Sequence, residues 1–329
     1  MTENKLKVFF LGSGDIAVPS LLSLHESESI DLVGVGTQPD KKAGRGNKMT
    51  PTPVGKTAAD LNLAPWKIDN INKESFIEKI KNLSPDFILV IAFGQLLKEV
   101  VLNLPKLACI NIHASILPAY RGASPINSSL LNGDKETGIS IMKMDKGLDS
   151  GPVYETLRQP ISNEDNALTL KNHLAELAGA SIVSSLKKIS SGAITCKEQD
   201  HEKSTHCRKI AKNDALIDWS MSAQQINNRV KAYYPWPGTF TFFETAKGNR
   251  RLAITKSALC DVSEKNEQSG TVLPGDKKHL FVQCGENSVL EVLQVKPEGK
   301  GLMNAADFLC GGQVKPGSIL VQNLTNLAI

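Results

Sequence analysis

Three polar side chains, Asn111, His113 and Asp149, are of types that could do chemistry together. Asn111 and His113 lie in CINIHASILPAYRGASPI, residues 109–126, which begins as an apolar strand and ends as a polar, turn-rich loop. Residues two apart on a strand share a face, so the amide and the imidazole point the same way while Ile112 points into the core. An amide and a protonated imidazole can both donate hydrogen bonds to an oxygen that gains negative charge. One such preorganised donor contributes about 3 kcal/mol to a transition state. Asp149 sits in the Gly-flanked turn LDSG. A carboxylate beside the imidazole would orient the ring, favour its charged form, and accept a proton from an attacking amine directly or through water. No Ser or Cys stands in a nucleophile motif with base partners, so transfer would pass directly from donor to acceptor without a covalent enzyme intermediate. From spacing alone, a structurally satisfied histidine and a backbone-capping aspartate are the commoner explanation of such residues.

The elements that must position this set read as α/β. KVFFLGSGD (7–15) is a buried strand running into a Gly-containing turn, IAVPSLLSLHES a helix, and DLVGVGTQPD (31–40) a second strand. That order implies a parallel sheet with right-handed crossovers. Gly12 and Gly14 match the start of a dinucleotide fingerprint, but Ala17 stands where its third glycine would be, so the glycines are read as a tight turn. A helix around Thr57 to Leu61, a short strand near Pro65 to Ile68 and the helix KESFIEKIKNL lead to PDFILVIAFGQLL. Phe87 to Ala92 is continuously apolar, as in a central parallel strand, and ends at Phe93-Gly94, where backbone can approach a ligand closely. Ligands of open α/β sheets bind at the carboxyl ends of strands, which is where Asn111 and His113 fall. SPINSSLLNGD reads as a helix stopped at Asn132-Gly133, ETGISIMKMD as a strand, and NALTLKNHLAELAGASIVSSLKKISSG as one long amphipathic helix. The charged, aperiodic AITCKEQDHEKSTHCRKIAKND reads as a linker. After it come a short helix, a Pro-Trp-Pro-Gly turn, and short alternating segments separated by turn residues, the pattern of a small all-β barrel of the oligonucleotide-binding type, with a small β-sandwich as the alternative. The expected spans are 1–191 for the first domain, 192–211 for the linker and 212–329 for the barrel.

A chain of 329 residues is long enough for two domains, and at 41% hydrophobic and 22% charged it has a globular composition. A formal charge of +4 is too small by itself to demand nucleic acid, so any such partner has to be argued from local clusters. The six cysteines form no CxxC, and no His lies at a zinc-like spacing from a Cys pair. Reduced thiols, no metal and a cytoplasmic setting are expected. The amino-terminal apolar run is too short for a secretory signal, and no run is long enough to span a membrane. A monomer is the default expectation.

One cluster is local enough to matter. KKAGRGNKMTPTPVGKTA has little apolar periodicity and reads as a loop, with Lys41, Lys42, Arg45 and Lys48 close together and glycines on both sides of Arg45. Composition alone leaves open a solvated surface loop or an interaction loop for a polyanion.

NIHASILPAYRGASPI, with TGISIMKMDKGLDSG downstream, resembles the 10-formyltetrahydrofolate-dependent formyltransferases. The resemblance implies a Rossmann-like catalytic domain with a mostly parallel sheet, followed by a small OB-like barrel. It implies that Asn111, His113 and Asp149 carry formyl transfer from 10-formyltetrahydrofolate. It places folate against Ser115, Ile116, Leu117 and Pro118, which match the family's SLLP stretch, and against Ala92, Phe93, Gly94 and Gln95. TQPDKKAGRGNKMTPTPV resembles the insertion loop with which the tRNA-acting members of that family enter the acceptor end, and Arg45 matches that loop's arginine. IDWSMSAQQINNRVKAYYPWPGT resembles the start of their tRNA-binding C-terminal domain, and Lys209 and Lys212 fall in a stretch expected to line a positive channel. The implied acceptor is the α-amine of methionine on initiator tRNA. The first turn departs from the family pattern: it reads GSGDIA, and Ile16 replaces an aromatic that helps hold the methionyl side chain.

Overall fold

The computed structural model describes residues 5–43, 46–245, 248–260, 267–276 and 278–322. By its contacts the chain forms two compact units. The first comprises Met1–Pro125, Glu136–Pro160 and Lys171–Cys207, the second Ile126–Lys135, Ile161–Leu170 and Arg208–Ile329.

In the first unit, β1 (Leu6–Gly12) carries Val8 to Leu11 fully buried, as expected of a strand covered on both faces. It is followed by α1 (Val18–Glu26), β2 (Ile30–Thr37), a hairpin of β3 (Lys41–Ala43) and β4 (Lys48–Thr50), α2 (Pro53–Asp60), β5 (Trp66–Lys67) and α3 (Glu74–Leu83). Then come β6 (Phe87–Ile91), all five residues buried, the one-turn α4 (Glu99–Leu102) and β7 (Ala108–His113). After β8 (Arg121–Gly122) and α5 (Pro125–Asn132), which from Ile126 belongs to the second unit, β9 (Glu136–Lys143) and β10 (Val153–Pro160) complete the main sheet, and α6 (Ala167–Ser190) follows, in this unit from Lys171 on. The sheet order is β10-β9-β7-β6-β1-β2-β5. The pairs β5–β2–β1–β6–β7 are parallel, while the pairs β7–β9 and β9–β10 are antiparallel. Strand order reverses between β1 and β6, so the carboxyl ends of β1, β6 and β7 converge on the switch point where such sheets bind ligands. α6 buries Leu170, Leu174, Ala178, Ile182 and Leu186, a stripe of four-residue steps along one face.

Two stretches expected as irregular are ordered. The basic loop contains the β3–β4 hairpin, with Lys41 opposite Thr50 and Lys42 opposite Met49. Gly46 and Asn47 at its turn have positive φ, which the tight reversal requires. The expected linker does not run free: His206 and Cys207 form β11, paired in parallel with β8, and Thr205 bonds the backbone of Tyr120 and Arg121. This polar segment is held by backbone hydrogen bonds, which leave no hydrophobic period to read.

The second unit begins its helix α7 (Ala223–Ala232) with a capping box between Ser222 and Gln225. Its sheet is antiparallel: β12 (Phe240–Thr245), β13 (Gly248–Leu259), β14 (Leu280–Gln283), β15 (Val289–Pro297), β16 (Met303–Asn304) and, after α8 (Ala305–Cys310), β17 (Leu320–Val321). Strand order is β14-β15-β13-β12-β17, with β16 on β15, and the sheet curls as a half-barrel. Irregular pairing around Lys256 moves β13's buried positions from Leu252 and Ile254 to Ser257, a bulge that bends the strand. The core gathers Trp219, Ile226, Val230, Phe243, Leu252, Val292 and Phe308. Trp219 satisfies its indole N–H by donating to Thr241 Oγ1 at 3.0 Å.

Candidate active site

The centre is built from β7. His113 stands at its end, paired with Ser140 of β9, and is 6% exposed. Asn111 sits two residues earlier and is half-buried, and among the described residues its side-chain amide makes no hydrogen bond, so its donors remain available. His113 Nε2 donates to the carbonyl of Tyr120 at 2.8 Å, which commits that nitrogen and fixes the ring plane. The other ring nitrogen, Nδ1, lies 3.5 Å from Asp149 Oδ2. That separation is long for a hydrogen bond but close enough for a strong charge interaction when the ring is protonated. The same Oδ2 accepts the backbone N–H of Gly122 at 2.8 Å. The structure brings His113 and Asp149 together, with Asn111 two residues before His113 on the same strand, and leaves Nδ1 as the ring nitrogen that faces the carboxylate.

The carriers of these groups are strained and tightly held. Tyr120 and Asp149 both have left-handed φ, +60° and +51°, a conformation that costs a non-glycine residue about 1–2 kcal/mol. Tyr120 N–H donates to Thr205 Oγ1 at 2.8 Å, and Arg121 N–H to the Thr205 carbonyl at 2.8 Å. Gly122 has φ +118°, and a Cβ there would lie 2.3 Å from the Cys207 carbonyl oxygen, so no larger residue fits. Ser140 Oγ donates to the Ser115 carbonyl at 2.7 Å and accepts the Leu117 N–H at 3.0 Å, tying the loop to β9.

Several expected folate contacts turn inward. Ser115 is fully buried and its hydroxyl donates to the Ala119 carbonyl at 2.6 Å, so its side chain shapes the turn. Leu117 is 7% exposed, whereas Ile116 and Pro118 are half-buried. Phe93 is 1% exposed and belongs to the core with Phe9 and Leu11. Gln95 spends its amide on the backbone of residues 68–71. Ala92 and Gly94 are exposed, so this loop presents backbone and small side chains to the cleft. Ile16 is half-buried beside the first turn.

Lys41, Lys42 and Lys48 are exposed on the hairpin and, among the described residues, form no ion pair, which leaves their charge available to an anion. Lys41 Nζ instead donates to Gln38 Oε1 at 2.6 Å. Arg45 lies outside the described residues. In the second unit Lys209 and Lys212 are exposed, and Arg208 beside them is bidentate to Asp214. Sequence reasoning missed Arg121, Ser140, Gln199 and Thr205. Arg121 and Ser140, both inside the motifs already quoted, carried a usable signal, and Gln199 and Thr205 did not.

An amide, an imidazole and a carboxylate at the carboxyl end of a strand beside the switch point are the group types that stabilise an oxyanion and take up a proton. The chain belongs to the formyl transferase family, whose model matches residues 4–186 and whose C-terminal domain matches residues 209–313. It is similar to the methionyl-tRNA formyltransferase of Caldanaerobacter subterraneus subsp. tengcongensis, 39% identical over 316 residues that cover 96% of this chain and all of the relative. It is 38% identical over 320 residues to that of Halothermothrix orenii, with 96% and 100% covered. Among solved structures it resembles WlaRD, a sugar 3N-formyl transferase determined in the presence of dTDP and 5-N-formyl-THF. The TM-score is 0.63 at 18% identity, with 91% of this chain and all of that one covered, a likeness of fold.

Proposed function

We propose that the chain transfers the formyl group of 10-formyltetrahydrofolate to the α-amine of methionine on initiator tRNA, giving N-formylmethionyl-tRNA. The observation that carries the chemistry is the trio itself: a free amide at Asn111 and an imidazole whose open nitrogen faces Asp149 at 3.5 Å. The two full-length relatives support the choice of acceptor.

The neutral amine attacks the formyl carbon, and the carbonyl oxygen becomes an oxyanion. Asn111 donates to it from its amide, and protonated His113 from Nδ1, because Nε2 is committed to Tyr120. Asp149 keeps the imidazolium in place and takes up the proton that the amine loses. Collapse of the tetrahedral centre breaks the bond to N10 of the folate, which leaves with a proton. The folate lies along Ile116, Leu117 and Pro118 and the exposed backbone of Ala92 and Gly94. Phosphates of the tRNA meet Lys41, Lys42, Arg45 and Lys48, and in the second unit Lys209 and Lys212, which makes binding salt-dependent. The catalytic role falls to the first unit and tRNA binding to the barrel. The same reading carries a cytoplasmic monomer.

The test is to incubate purified protein with 10-formyltetrahydrofolate and methionyl-initiator-tRNA and to measure formyl-methionyl-tRNA. Formylation of a nucleotide-linked amino sugar in its place assigns the chain to the sugar enzymes. RNA binding without turnover on either acceptor removes catalysis.

A further inference from the structure

Behind Asp149 lies a buried cation, Arg121. Arg121 is 5% exposed, and among the described residues its guanidinium meets no carboxylate. A buried charge without a counter-ion is costly, so its hydrogen bonds have to be good ones. Its Nε and Nη2 both donate to Gln199 Oε1, at 3.1 and 2.7 Å. Nη2 also donates to His201 Nδ1 at 3.1 Å, so that nitrogen offers its lone pair.

This fork decides the orientation of the Gln199 amide. A guanidinium only donates, so the amide oxygen must face it, and the NH2 group is turned the other way. There, Nε2 donates to the carbonyls of Asp149 and Gly151, at 2.9 and 2.7 Å. Gln199 is 8% exposed, and its oxygen and both its N–H groups are engaged. The backbone carbonyl it holds belongs to the residue with φ +51°, and that residue's carboxylate is held by Gly122, next in the chain after Arg121. The turn is therefore gripped from both sides by one short stretch: through Gly122 N–H at the carboxylate, and through the Arg121 guanidinium and Gln199 at the main chain.

We propose that Gln199 is a positioning residue for catalysis, oriented by Arg121, which holds Asp149 at its working distance from His113. The proposal rests on the roles given above to His113 and Asp149. Neither Gln199 nor Arg121 touches the reacting atoms. What they supply is a fixed geometry for a carboxylate on a strained turn, where a displacement of about 1 Å can cost on the order of 100-fold in rate.

Gln199→Glu separates positioning from stability. The new carboxylate pairs with the Arg121 guanidinium, which favours the folded state, yet it removes both donors to the Asp149 turn and turns an anion towards two carbonyls. Gln199→Met keeps the size and removes every hydrogen bond, and serves as the second variant. Wild type and both variants are compared at saturating 10-formyltetrahydrofolate and methionyl-tRNA, with melting temperature and the pH profile of kcat recorded alongside. The expected result for Gln199→Glu is a melting temperature at or above that of wild type, a kcat lower by about 10–100-fold, and KM values for both substrates within about threefold. The pH profile of kcat changes shape, because proton transfer between the amine, Asp149 and His113 depends on their separation, whereas a simple loss of folded protein leaves the profile unmoved. Wild-type kcat and pH profile in both variants overturn the proposal. So does a loss that follows the folded fraction with the pH profile unmoved. If wild type itself transfers no formyl group to methionyl-tRNA, it is the functional reading that fails; if wild type is active and the variants equal it, only this inference fails.

Discussion

The loop after β7 and the loop after β2 leave the same sheet at its carboxyl edge and are built in opposite ways. In the first, residues 114–124, the Ser115 hydroxyl, the Tyr120 and Arg121 N–H groups and the Gly122 N–H are all spent inside the protein, and Tyr120 is held in a strained conformation. In the second, β3 and β4 pair only with each other, and Lys41, Lys42 and Lys48 are exposed. The difference follows from the tasks proposed for them. Stabilising an oxyanion needs donors fixed before the reaction, because a donor that has to reorganise contributes little. Attracting a polyanion needs charge within reach of water and phosphate, and tolerates motion because Coulomb attraction is not directional.

The comparison can be broken most sharply at its rigid end. His113→Ala should lower kcat by about 100-fold or more while the circular dichroism spectrum and melting temperature stay near wild type. Retained turnover would remove the imidazole from the mechanism. Next comes Gly122→Ala. The φ of +118° and the 2.3 Å approach of the Cys207 carbonyl predict a loss of at least about 1–3 kcal/mol in urea unfolding, together with reduced kcat as the backbone N–H of residue 122 is displaced from Asp149. An unfolding midpoint equal to wild type would show that the loop gives way easily and is not preorganised.

At the charged end, the double variant Lys42→Ala with Lys48→Ala should raise KM for methionyl-tRNA and reduce the slope of log affinity against log salt by about 2, one for each phosphate contact. Saturated kcat and stability should not change. An unchanged salt slope would return the hairpin to an ordinary solvated surface. The smallest effect expected is on thiol chemistry. Burial pushes the Cys109 thiol, on β7 behind Asn111, far above its usual range, and that of Cys284 up to about 12, while Cys310 is exposed. Because both shifts are upward, the buried groups stay protonated through neutral and mildly alkaline pH. A maleimide at pH 8 should therefore label Cys310 and leave Cys109 intact, as read by peptide mass. Labelling of Cys109 at the same rate would mean that β7 opens, and would undo the claim of a rigid base for the site.

Parts of this molecule were legible because their physics is periodic. Val8–Leu11 of β1 and the whole of β6 are apolar without interruption since helices and loops cover both faces of a parallel sheet. Asn111 and His113 could be placed on one face because a strand repeats every two residues. The hairpin of the basic loop was not legible, as Lys41, Lys42 and residues 48–50 are all exposed and no alternation marks them. Gln199 was not legible either. Its partners Asp149 and Arg121 are 50 and 78 residues away in the chain, and the segment around it holds its place through backbone pairing, with no apolar stripe to betray it. Phe93, Gln95 and Ser115 lie in stretches expected to face folate, but their side chains serve the core, residues 68–71 and the turn.

By itself, then, the sequence determined the parallel strands, the carboxyl ends at which open sheets of this kind bind ligands, and the residue types available there, because these depend on local pattern and on composition. Only the tertiary structure decided which imidazole nitrogen is free, how Asp149 reaches it, and that a buried arginine and a glutamine from a supposed linker grip the turn. Those are directional contacts of short range between distant parts of the chain, and a hydrogen bond leaves no periodic trace in the residues between its ends.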